Sequence, residues 1–143
     1  MLQQTRVATV LDYYDRWMKA LPSIPSVAAA DEATILKLWE GLGYYARARN
    51  IHRAAKQICE QHSGEFPNDY DAIRQLPGIG PYTAGAISSI AFEQDRPVVD
   101  GNVIRVLCRL LNLDADPKAG STQKKLWQVA TDWLPSGHAR NFN

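Results

Sequence analysis

From Val7 to Trp133 the apolar residues of this chain recur at helical spacing in nearly every segment. Val7, Val10, Leu11, Tyr14, Trp17 and Met18 form a first stripe, and Ile35, Leu36, Leu38 and Trp39 form a second behind a capping Asp31. Ile51, Ala54, Ala55, Ile58 and Cys59 make a third, which Ser63 and Gly64 should end. Leu126, Trp127, Val129, Ala130 and Trp133 make a further one after Ser121. Each stripe predicts a helix with one buried face. The one strand-like stretch, Pro97-Val98-Val99, is too short to seed a sheet, so the expected fold class is all-α. The polar link at residues 93–97 is the candidate boundary between two helical lobes, with a cleft opening there.

Composition narrows the function classes. At 45% hydrophobic and 22% charged residues the chain should fold throughout rather than remain disordered. Lys and Arg number 16 against 15 Asp and Glu, so no global field attracts a polyanion and any nucleic-acid binding must come from local patches. No stretch approaches the roughly 18 apolar residues of a membrane span, and the first residues lack the apolar run of a signal peptide. Cys59 and Cys108 stand far apart without a Cys or His at metal-ligand spacing, and they read as buried thiols in a reducing, soluble compartment.

Three segments could carry chemistry. Residues 76–86, Leu-Pro-Gly-Ile-Gly-Pro-Tyr-Thr-Ala-Gly-Ala, follow a short amphipathic stretch through Tyr70, Ile73 and Leu76 and read as helix, tight hairpin, helix. Gly78 and Gly80 permit backbone angles and a close approach that a Cβ would block, and Pro81 suits the first helical position. Free amides at such a helix start can hold an anion, a DNA phosphate for example, without Lys or Arg; a plain turn between packed helices has the same Gly-Pro signature. In residues 98–103, Asp100 is an N-cap candidate whose carboxylate could also stabilise positive charge on a sugar as its glycosidic bond breaks. Residues 39–50 interleave glycines, tyrosines and arginines, and Arg53 and Lys56 extend the face of Arg49. That face is either a solvated basic stripe or a surface that grips DNA and fills the gap left by an unstacked base.

Taken together, residues 1–5 (Met-Leu-Gln-Gln-Thr), 41–50, 76–86 and 99–103 resemble the adenine DNA glycosylases of the MutY family, within the helix-hairpin-helix superfamily that includes endonuclease III. The resemblance runs essentially end to end. It implies a six-helix barrel lobe at residues 1–93, with the helix-hairpin-helix at about 69–92, and part of a second helical lobe at 94–143. It further implies a monomer that binds double-stranded DNA and flips out an adenine mispaired with oxidised guanine or guanine. Its setting would be the bacterial cytoplasm (nucleoid), or the nucleus or mitochondrion of a eukaryote. By resemblance Asp100 stabilises the oxocarbenium ion, Tyr82 and Asn102 line the catalytic pocket, and Gln4 and Tyr44 enter the base stack. DNA contacts are expected also at Arg47, Arg49, Gly78, Gly80 and Thr83.

Two departures from the family pattern bear on activity. The family's catalytic acid is a glutamate two positions before the Met that is residue 1 here, and none of Glu32, Glu40, Glu60, Glu65 or Glu93 falls on that position. Beyond Asn143 the family continues into a helix, a four-cysteine iron–sulfur loop and an oxidised-guanine recognition domain. The expectation is a fragment of a monofunctional glycosylase, inactive as given and without a cofactor of its own. An endonuclease III-like glycosylase with lyase activity would need a lysine where Tyr82 stands, and a non-catalytic DNA-binding module is the remaining alternative.

Overall fold

The computed structural model describes residues 1–2 and 5–143. Among the described residues every regular element is helical, as the apolar periodicity predicts. The chain forms two compact units, Met1–Pro67 with Gln75–Gly78, and Asn68–Arg74 with Ile79–Asn143.

The first unit holds α1 (Val7–Ala20), α2 (Ile24–Ala29), α3 (Glu32–Trp39) and α4 (Tyr45–His62). Ser23 and Ser26 form a reciprocal capping box at α2, and Asp31 accepts the Thr34 amide at 2.6 Å to start α3. That amide holds the Asp31 carboxyl below its usual range. Ser63 ends α4 in a left-handed conformation, as expected. Trp17, Leu21, Val27, Ile35, Trp39, Ala48 and Ala55 form the core, with Trp17 and Trp39 edge to face at 5.8 Å.

Several stripes are narrower than their periodicity suggests. On α1 only Val10 and Trp17 are buried, whereas Val7, Leu11, Tyr14 and Met18 are exposed, Val7 by 63%. Periodicity marks the residues able to face a neighbour, but α1 packs on α3 along a single line. Ile51 on α4 is likewise exposed. The thiols of Cys59 and Cys108 are partly exposed rather than buried, because each lies at the margin of its helix's packed face.

The second unit holds α5 (Tyr70–Arg74), α6 (Pro81–Phe92), α7 (Gly101–Leu110), α8 (Gly120–Asp132) and α9 (Ala139–Phe142). Val99, Leu107, Leu126 and Ala130 form its core between α7 and α8. Val106 and Leu110 on α7 are exposed, and so is Trp133 at the edge of the expected stripe on α8. Helix α6 packs on α5 and α9. The link at residues 93–97 lies inside this unit, and Asp95 accepts hydrogen bonds there from the Gly137 amide and the Ser136 hydroxyl.

Candidate functional site

Helix α7 begins at a carboxylate whose two oxygens are bonded differently. Val99 is buried and sets the direction of entry, and Asp100 follows in extended backbone. Its Oδ1 accepts the amides of Asn102 and Val103, both at 2.8 Å, which satisfies two donors that a helix start leaves without intrahelical partners. Its Oδ2 accepts only a long bond, 3.3 Å, from the Asn102 side-chain amide. Arg105 donates to Asn102 Oδ1 at 2.9 Å and thereby turns the Asn102 NH₂ toward Asp100. One oxygen therefore caps the helix, and the other keeps acceptor capacity for a second partner. The sequence motif names Asp100 and Asn102. Arg105 escaped it, although its i+3 spacing from Asn102 on a helix is a usable signal.

The hairpin at residues 76–81 treats its two glycines differently. Gly78 has φ +80°, and a Cβ there would lie 2.8 Å from the Asn50 Cβ, so the fold itself requires glycine. Gly80 has φ −94° and open space where a Cβ would stand. Within the chain itself a Cβ is therefore blocked at Gly78 and not at Gly80. Gly80 is the N-cap of α6 and gives no side-chain cap, so the amides of Tyr82 and Thr83 stand uncapped in the first turn behind Pro81. Tyr82 is 40% exposed, and Thr83 is half-buried.

In the first unit the turn before α4 presents an aromatic ring. The Trp39 indole donates to the Gly43 carbonyl at 2.9 Å, and Tyr44 follows in the left-handed region at φ 50°, a conformation costing about 1–2 kcal/mol for a residue with a Cβ. Its ring is 61% exposed and lies under the Arg47 guanidinium at 4.4 Å. Arg49 instead pairs with Glu32 at 2.9 Å, an exposed contact that a phosphate can displace at little cost. Asn50 touches Gly78 and accepts a bond from Arg53, so α4 and the first half of the hairpin meet at one side chain. The sequence marks Trp39 as part of a buried stripe and Asn50 as the end of the 39–50 segment, but not their contacts with Gly43 and Gly78. Gln4 lies outside the described residues.

Within each unit, then, Tyr44 stacks with Arg47, and Asp100 bonds Asn102. Two surface depressions, one of 420 Å³ lined by Glu93 and residues 137–141 and one of 380 Å³ along Asp31 to Leu38, contain none of the expected site residues. No group of three or more His, Cys, Asp or Glu among the described residues could hold a metal ion.

Residues 1–131 match the family model described as HhH-GPD superfamily base excision DNA repair protein. The whole chain aligns at 46% identity with the adenine DNA glycosylase of Rattus norvegicus, of which it spans 28%. It aligns at 43% with that of Buchnera aphidicola subsp. Baizongia pistaciae, spanning 40%. The chain thus spans well under half the length of these relatives. The solved structure of a thermostable thymine-DNA glycosylase superposes with a TM-score of 0.87 at 27% identity, over 99% of this chain and 65% of that one. The helix-hairpin-helix glycosylase fold expected from the sequence is the fold found.

Proposed function

The chain belongs to the HhH-GPD superfamily of base excision DNA repair proteins, and from that premise we propose that it is part of a monofunctional adenine DNA glycosylase. The substrate is duplex DNA carrying an adenine opposite oxidised guanine or guanine. The observation that carries the reading is the divided carboxylate of Asp100, one oxygen capping α7 and the other holding only a long bond. In the reaction the bond between the sugar C1′ and the adenine breaks and its electrons leave with the base, which an acid protonates. Water then adds to C1′ and releases a proton. Asp100 Oδ2 stabilises the sugar cation in between, and Asn102, oriented by Arg105, lines the same pocket with Tyr82.

DNA is held by phosphate at the uncapped amides of Tyr82 and Thr83 and by Arg47 and Arg49, while Tyr44 and Gln4 fill the stack beside the flipped base. The lobe boundary at residues 93 and 94 belongs to this reading, with six helices preceding it among the described residues. So do a monomeric state and a place in the bacterial nucleoid, or in the nucleus or mitochondrion of a eukaryote. The protonating acid is assigned to none of the chain's glutamates, of which Glu32, Glu40 and Glu93 sit in exposed ion pairs. The two cysteines cannot hold an iron–sulfur cluster by themselves, so no step here runs through one.

Gly80→Asp tests the phosphate site with effects of opposite sign. A carboxylate at the N-cap should leave the folding stability unchanged or raise it by roughly a few tenths of a kcal/mol, so the thermal midpoint should not fall. Placed at the same amides it should repel a phosphate, and duplex affinity should fall roughly tenfold at low salt with a shallower salt dependence. Binding unchanged across two salt concentrations would refute the assignment.

Tyr82 carries no amine, so no Schiff base should form at this position on abasic DNA. Borohydride trapping measures this directly. An efficiently trapped adduct, which would have to sit on an amine elsewhere in the chain and disappear when that one lysine is replaced, would favour the lyase reading instead.

A further inference from the structure

The segment leading into Asp100 has no regular secondary structure, yet hydrogen bonds to residues 136–143 hold it at Asp95, Arg96 and Val98. The Asn143 carboxamide donates to the Arg96 carbonyl at 2.8 Å and accepts the Val98 amide at 3.1 Å. These two bonds imitate one rung of a β-ladder and set the register of an extended stretch whose next turn is the Asp100 cap. Upstream, Asp95 accepts the Gly137 amide at 2.9 Å and the Ser136 hydroxyl at 3.1 Å, charge-assisted bonds stronger than neutral ones. Behind the segment, the Pro97 carbonyl rests against Gly85 of α6, where no Cβ intervenes. Irregular loops ordinarily leave such groups to water, and here they are fastened across 41–47 residues of sequence.

We propose that Asp95 and Asn143 are positioning residues for Asp100: they clamp the segment before α7 so that Oδ2 is held where cationic charge develops on the substrate sugar. The inference rests on the function proposed for Asp100. It differs from a merely stabilising role in what it controls, because loosening the clamp displaces a charge and should spare the DNA grip at the hairpin.

The test compares binding of the full chain to three duplexes. One carries a pyrrolidine whose protonated nitrogen mimics the sugar cation, one an uncharged tetrahydrofuran abasic analogue, and one is undamaged. Asp95→Ala and Asn143→Ala should each reduce the preference for the cationic over the neutral analogue by about fivefold, the scale of a modest misplacement of a reacting group, and leave undamaged-duplex affinity unchanged. Hydrogen exchange at the Asn102 and Val103 amides, both bonded to Asp100, should quicken in parallel. A preference retained in both variants would overturn the inference, and so would a lost preference with those two amides still fully protected. Asp100→Asn separates the two levels of the argument. If it keeps the cation preference, or the unmodified chain has none, the functional reading fails and takes the inference with it. If Asp100→Asn loses the preference while the clamp variants keep it, only the inference fails.

Discussion

Replacing Gly85 with alanine is expected to destabilise the second unit by about 1–3 kcal/mol, the usual cost of forcing one extra carbon into a packed site. The sign is informative, because alanine in place of glycine inside a helix ordinarily stabilises by roughly 0.5–1 kcal/mol. Here the added Cβ would lie 2.5 Å from the Pro97 carbonyl oxygen and 3.5 Å from its carbon. That obstacle is backbone rather than the end of a flexible side chain, and its neighbours on both sides are tied to Asn143. Relief must come from α6 moving away from the segment or from the segment moving with Asp100 behind it. Gly120→Ala, where a Cβ meets nothing within 4 Å at the first position of α8, is the matched control. Thermal unfolding followed by circular dichroism should show a midpoint several degrees lower for Gly85→Ala and no loss for the control. An unchanged midpoint for Gly85→Ala would mean that this contact does not exist in the folded protein.

Much of the fold was legible because its signals are local. Asp31 caps α3, Ser63 ends α4, and Asp100 caps α7, each following from one residue type at one offset from an apolar stripe. The exposed stripe of Val7, Leu11, Tyr14 and Met18 was misread because burial depends on how many neighbours a helix has, which periodicity does not encode. The candidate site divides in the same way. Asp100, Asn102 and the hairpin stand in contiguous motifs. The difference between Gly78 and Gly80 was hidden, since it depends on Asn50 lying under one of them and nothing lying near the other. The pairing of Arg49 with Glu32 spans 17 residues and the Asn143 bracket on Arg96 spans 47, distances at which no sequence offset carries information.

The largest functional effect is expected at Asp100. Asparagine there keeps an oxygen able to accept the Asn102 and Val103 amides, so α7 stays capped and the fold intact, but the negative charge is gone. If Oδ2 stabilises a sugar cation, the loss should appear in the chemical step at about 10²–10³-fold, the scale seen when one preorganised electrostatic contact to a transition state is removed. Duplex binding should persist, because the hairpin amides and the arginines of α4 are unchanged. A general acid acts only within hydrogen-bond reach of the base, and none of the chain's own glutamates matches the family position. Excision is therefore expected only when the upstream glutamate segment and the family's C-terminal helices are supplied, and not from the 143 residues assayed alone. The deciding measurement is single-turnover release of adenine from a duplex with adenine opposite oxidised guanine. It compares this chain alone, the chain extended at both ends, and the extended chain with Asp100→Asn. The account predicts release by the extended protein, near-complete loss on Asp100→Asn with binding retained, and none from the chain alone. Robust release by the 143 residues, or by the Asp100→Asn protein, would contradict it.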